Sequence, residues 1–168
     1  MSNPTKIVQL PSIIQNWQSL EDLIFSIYPR LNEVCSRDNE FLTERTILST
    51  HNEDVKAINT VALNMLPGEP IVLLAADKLE EEGIFMRPSS SEMPFLITRR
   101  QFPIRMTFAM TINKFQGQSI KYVGIDMTIA VFSHGHLYVT LSRCTSANII
   151  NVLFPPNASN YTTNLVYP

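Results

Sequence analysis

A polar turn and, after it, an arginine at the end of a helix are the groups in this 168-residue chain whose types and spacing suit work on phosphate. The turn reads Asn113-Lys114-Phe115-Gln116-Gly117-Gln118-Ser119, and the helix reads Leu137-Tyr138-Val139-Thr140-Leu141-Ser142-Arg143. Lys114 offers a point charge to a phosphate oxygen. Arg143 offers a planar guanidinium that can meet an anion outside the domain. Gly117 gives the backbone the freedom that a tight strand-to-helix turn needs.

The elements that position these groups follow from apolar spacing. Residues 106–112 are almost all apolar, which suits an inner strand buried on both faces. A strand running into Asn-Lys-x-Gln-Gly places amides and a cation at the carboxyl edge of a sheet, where ligands bind in open α/β folds. Leu137, Tyr138 and Leu141 fall at helical spacing within a helix expected over 133–142, with Ser133 or His134 as its cap. Residues 46–49 read as a strand. Thr50 and Glu53 then have capping-box spacing ahead of an apolar face made by Val55, Ile58, Val61, Ala62 and Met65. The junction Ser49-Thr50-His51-Asn52 carries two readings: Thr50 and Asn52 only cap the helix, or its hydroxyls and amides meet a phosphate.

Elsewhere, Ser19 with Asp22 marks a helix N-cap, and Leu20, Leu23, Ile24 and Ile27 make its apolar stripe, ended near Pro29. Residues 1–16 read as an irregular lead-in and the segment from Pro155 as a loose tail. Further strands are expected over 71–74, 95–99, 122–126 and 149–153. Glu80-Glu81-Glu82 reads as a solvated charge run, and 88–91 as a loop. Alternating strands and helices imply an α/β fold with a mainly parallel sheet covered on both faces.

Composition bounds the function. Hydrophobic residues make up 45% and charged residues 17%, which is a globular balance. No run reaches the roughly 18 apolar residues of a membrane span. No secretory signal is legible, and Cys35 and Cys144 have no metal-ligand spacing, so a reduced intracellular protein without a metal site is expected. His134 and His136 are two apart and do not share a helix face. A net charge of −2 excludes a generally basic nucleic-acid binder. DNA contact must come from a local patch; Arg99 and Arg100, with Arg105 nearby, are the densest one.

Phe108-Ala109-Met110-Thr111-Ile112-Asn113-Lys114-Phe115-Gln116-Gly117-Gln118-Ser119, followed by Leu137 to Arg143, resembles motifs V and VI of superfamily-one DNA helicases. The match is to the petite-integration-frequency type and its relatives in Helitron transposons. The resemblance implies a RecA-like three-layer domain, the second of two motor domains, spanning 1–168 with a shortened insertion over 70–94. It implies Arg143 as the catalytic arginine finger, with Gln116 and Gly117 beside the γ-phosphate. The 49–52 junction would be motif IV, and Thr50, Asn52, Thr111, Asn113, Lys114 and Ser119 would lie on the single-stranded DNA path. ATP and Mg2+ would be cofactors of the complete helicase, with none bound by this chain alone. Its partners would be single-stranded DNA and a first RecA-like domain, with no membrane. Nuclear or mitochondrial work in DNA repair, recombination and telomere maintenance goes with that family.

Departures from the family pattern matter as well. Phe115 stands where a small residue, commonly serine, is usual; it adds bulk beside the cleft and a ring that could stack on a base. Thr140 and Cys144 are milder changes. No Gly-x-x-x-x-Gly-Lys-Ser/Thr loop or acidic Walker B strand occurs, so the chain alone is expected to be inactive. Residues 70–94 are too few for the several-stranded barrel of relatives. A non-catalytic strand-binding module, or a transposon-helicase remnant, is the alternative.

Overall fold

Five parallel strands form the central sheet, in the order β2-β8-β7-β3-β6. They are β2 (Gln15–Trp17), β3 (Arg45–Ser49), β6 (Ala109–Thr111), β7 (Tyr122–Asp126) and β8 (Ile150–Leu153). The computed structural model describes residues 5–33, 40–69, 76–78, 98–100, 106–144, 146–156, 158 and 160–165. The helices are α1 (Leu20–Ile27), α2 (Glu40–Thr43), α3 (Asn52–Asn64) and α4 (His136–Leu141). The expected mainly parallel α/β sheet is present.

Side-chain alternation along the strands builds two cores, one on each face. Leu48, Val123, Ile125, Ile150 and Val152 point to one face, where Leu10, Ile14, Phe115, Val131 and Leu137 cover them. Ile47, Ala109 and Leu153 point to the other, beneath Leu23, Ile24 and Ile27 of α1 and Ile58 and Ala62 of α3. Gly124 lies on this second face. A Cβ there would sit 2.9 Å from Ile27 and 3.0 Å from Ile47, so α1 packs this closely only over glycine. Ser19 caps α1 as its spacing predicts, its Oγ accepting from the Asp22 N–H at 3.1 Å.

Strand β6 differs from expectation. It is shorter than 106–112, and among the described residues it ends the sheet instead of lying inside it. Its burial is nevertheless two-sided: Phe108, Ala109, Thr111 and Ile112 are all buried. The reason is that helix α3, not a further strand, covers its outer side. The Asn59 carboxamide pairs with the free edge of the strand, its Oδ1 accepting from Phe108 N at 2.7 Å and Ala109 N at 3.1 Å. Its Nδ2 donates to Ala109 O at 3.3 Å and to Val55 O of its own helix at 2.8 Å.

The carbonyl of Phe108 is also held by the hydroxyl of Tyr28, the residue that follows α1, at 2.8 Å. Burial pushes the Tyr28 phenol well above its ordinary range, so it stays a neutral donor. Removing the hydroxyl with Tyr28→Phe is expected to cost about 1 kcal/mol, the net worth of one hydrogen bond, since Phe108 O keeps the Ile47 N–H at 3.0 Å. Thermal melting checks this, and an unchanged melting point would assign the position to packing alone.

The two chain ends also correct the sequence reading. The irregular lead-in and loose tail contain β1 (Thr5–Gln9) and β9 (Tyr161–Leu165), paired antiparallel from Thr5↔Leu165 to Gln9↔Tyr161. The lead-in then supplies β2, which pairs with β8, and Leu10 and Ile14 enter the core. These strands lack an alternating apolar pattern, and their pairing joins residues at opposite ends of the sequence.

By compactness the chain divides into two units, Met1–Pro67 with Thr107–Pro168, and Gly68–Met106. The second contains an antiparallel pair, β4 (Ala76–Lys78) with β5 (Thr98–Arg100). The expected strand over 95–99 is described only at its end, as β5. The readings for 71–74, Glu80-Glu81-Glu82, 88–91, Cys35 and Arg105 lie outside the described residues, as do the side chains of Arg99 and Arg100.

Candidate functional site

Because the five strands are parallel, their carboxyl ends meet at one edge, and the segments singled out by sequence emerge there. Ser49 ends β3, Thr111 ends β6, and Asp126 ends β7. Ser49 Oγ lies 3.4 Å from Asp54 Oδ2 and 3.5 Å from Asp126 Oδ2, long contacts that mark proximity more than strong bonding. Asp126 stops its strand by turning back on itself, Oδ1 accepting from the Thr128 N–H at 3.0 Å and its hydroxyl at 2.6 Å.

The turn after β6 is wound by successive short backbone bonds, among them Lys114 N to Thr111 O at 3.0 Å and Gln118 N to Phe115 O at 3.2 Å. Ile112 and Phe115 both point into the core and anchor it. Asn113, Lys114, Gln116, Gly117, Gln118 and Ser119 are left exposed. Gly117 has φ +86°, a left-handed conformation that a side chain would strain, as the turn reading requires. Phe115 is 2% exposed and cannot stack on a base. Its bulk fills the core where a shorter residue would leave space.

Two contacts tie this turn to helix α4. At its start, His136 Nε2 donates to Asn113 Oδ1 at 2.7 Å. At its end, Arg143 Nη1 donates to Gln118 O at 3.4 Å while Nε donates to Val139 O at 3.1 Å. Ile120 N also donates to Arg143 O at 3.3 Å. Arg143, expected to extend from the helix, is folded back on these two carbonyls and is half-buried. Both acceptors are neutral, so an anion would compete for the guanidinium on favourable terms.

His136 is buried, and its Nδ1 has no hydrogen-bond partner among the described residues. Burial pushes its pKa down, so the imidazole is neutral and carries its proton on Nε2, facing Asn113. The helix start differs from expectation: Gly135, at φ 77°, is the cap, not Ser133 or His134.

At the β3 junction, His51 precedes α3 in the cap position without a side-chain bond, so the Thr50–Glu53 capping box does not form. The Thr50 hydroxyl instead shares a 2.8 Å hydrogen bond with His51 Nδ1. His51 Nδ1 also lies 3.6 Å from Asp54 Oδ2. Asn52, the first helical residue, is exposed. Thr50 and Thr111 are 6% and 8% exposed, so little of either side chain meets solvent.

Phe132, in the loop between β7 and α4, joins two of these segments. Its ring lies 5.0 Å from that of His51, tilted by 39°, and 5.0 Å from that of His136 in an edge-on arrangement. Sequence reasoning overlooked Phe132 and Asn59, and weighed His136 only as a metal ligand. Asn59 had a legible signal, a polar residue on the apolar face of α3. Among the described residues no group of three or more His, Cys, Asp or Glu could hold a metal, and no helix is long and apolar enough to cross a membrane.

No family model matches the chain. Its relatives are ATP-dependent DNA helicases. It is 44% identical over 52 residues to the ATP-dependent DNA helicase Pif1 of Campylobacter jejuni, covering 31% of this chain and 11% of that protein. It is 25% identical over 167 residues to the ATP-dependent DNA helicase PIF1 of Danio rerio, covering 91% of this chain and 25% of that protein. The chain thus spans a quarter or less of the curated relatives it matches. The crystal structure of the Pif1 helicase from Candida albicans superposes with a TM-score of 0.52 at 16% identity, over 84% of this chain and 53% of that one. The chain therefore has homologues among Pif1-family ATP-dependent DNA helicases and shares the RecA-like α/β fold of that structure.

Proposed function

We propose that this chain is the second RecA-like motor domain of an ATP-dependent DNA helicase, with residues 70–94 as its shortened insertion. The observation that carries the reading is the tie between the turn at 112–119 and helix α4 through the 2.7 Å Asn113–His136 bond, with the Arg143 guanidinium 3.4 Å from Gln118 O at the other end. One segment bears the groups suited to a nucleic-acid strand and the other bears the arginine suited to a phosphate. A motor needs those two to be mechanically joined.

In this reading Asn52, Asn113, Lys114 and Ser119 contact single-stranded DNA, while Thr50 and Thr111 hold the strand ends beneath them. Gln116 and Gly117 face the γ-phosphate. Arg143 leaves the Gln118 carbonyl to meet that phosphate when the cleft closes. ATP and Mg2+ are held by a first RecA-like domain outside this chain. Arg143 stabilises charge on the transferring phosphoryl group across the domain boundary. The family resemblance implies movement 5′ to 3′, on DNA in the nucleus or in mitochondria.

The isolated chain is expected to release no phosphate from ATP, with or without single-stranded DNA. Joined to a first RecA-like domain with a phosphate loop, it should hydrolyse ATP in a DNA-dependent way. Turnover that persists in the isolated chain through further purification would overturn this division of labour. A joined protein that binds DNA but never hydrolyses ATP would favour the non-catalytic module instead.

A further inference from the structure

Phe132 is 53% exposed, and its two ring neighbours are histidines. Those neighbours come from different segments. His51 follows β3 and is braced by the Thr50 hydroxyl, and His136 opens α4 and is braced by Asn113. The Phe132 ring is therefore held from two sides and still presents surface to solvent. It stands at the carboxyl edge of the parallel sheet, where ligands of such sheets bind. Through His136 it adjoins Asn113 and the exposed cation of Lys114. Packing alone would account for a ring that covers His136, but would favour burying the whole of it.

We propose that the exposed surface of Phe132, braced by His51 and His136, is a stacking platform for one base of a nucleic-acid single strand. The inference rests on the proposed function and adds to it a contact that the motif residues do not supply. Lys114 meets a backbone phosphate, while Phe132 takes the adjoining base. Every base has a π-face, so this contact is sequence-tolerant. It also explains how an acidic chain with few exposed cations at this edge could hold a strand.

The test uses the full chain and a labelled oligothymidylate titrated at several salt concentrations. Phe132→Leu keeps an apolar side chain over His136 but removes the flat ring. It is expected to weaken binding on the order of tenfold, as loss of one base–aromatic stack does. The slope of log affinity against log salt should not change, because no counterion is released by stacking. Lys114→Ala should instead lower that slope by about one phosphate contact. Phe132→Trp should retain binding, and its emission, read above that of Trp17, should be quenched by the oligonucleotide.

Unchanged affinity in Phe132→Leu, with Phe132→Trp emission unmoved, would overturn the platform and leave the strand-binding reading intact. If Phe132→Leu melts early, the tryptophan quenching alone decides. Failure of the unsubstituted chain to bind at low salt would remove both readings together.

Discussion

Arg143→Ala is expected to lower ATP turnover about a thousandfold or more when this domain is joined to a first RecA-like domain carrying a phosphate loop. The guanidinium of Arg143 is held by two neutral carbonyls, Val139 O at 3.1 Å and Gln118 O at 3.4 Å. Each such bond contributes roughly 1 kcal/mol net. A charge-assisted, two-pronged contact to a phosphoryl group is about twice as strong per bond, so leaving the carbonyls is favourable once the phosphate arrives. Arg143→Lys should also turn over poorly, since an ammonium cannot reproduce the planar fork. Both forms should stay folded, because the side chain is half exposed and its two bonds, the 3.4 Å one weak, are worth about 1–2 kcal/mol together. Steady-state phosphate release, with melting curves for all three proteins, makes the measurement. Near-normal turnover in the alanine form would make Arg143 a tether between helix and turn and nothing more.

The largest effect on stability is expected at Asn59, a residue distant in sequence from every motif. Asn59→Leu has a similar volume and suits a helix facing a core. It nevertheless strips Phe108 N, Ala109 N and Ala109 O of their carboxamide partners at 2.7, 3.1 and 3.3 Å. Buried backbone groups left without partners cost about 1–3 kcal/mol each. A total of roughly 3 kcal/mol or more follows, a large part of the 5–15 kcal/mol typical of a domain. Urea unfolding should show a lower midpoint at unchanged slope. Hydrogen exchange should speed most at the Phe108 and Ala109 amides, because β6 has no strand on that side among the described residues. A midpoint within error of the unsubstituted protein would show that water or a shifted backbone replaces Asn59. Because β6 leads directly into Asn113 and Lys114, loss of this pairing should also weaken DNA binding in proportion to the loosened strand.

Local patterns in the sequence determined the elements nearest the site. The apolar stripe after Ser19 is α1, the run before Thr50 is β3, and the Leu137–Leu141 spacing is α4. Phe115 already stood out against the family pattern, and Asn113, Lys114, Gln116 and Gly117 already formed one polar turn. Such features depend on neighbours three or four residues apart, or on strict alternation, and so they are written into short windows. Tertiary structure decided what depends on residues far apart in the chain. It turned Phe115 inward, because a ring at that point of the turn meets the core made by Ile112 and Leu137. It put β6 at the end of the described sheet and gave its free edge to Asn59, which a side chain can do only when a helix lies alongside. It paired β1 with β9, whose residues carry too little apolar alternation to announce a strand. It also brought the His51 ring from the β3 junction against Phe132, beside His136 at the start of α4, since parallel strands ending at a common edge bring those two segments within reach of each other.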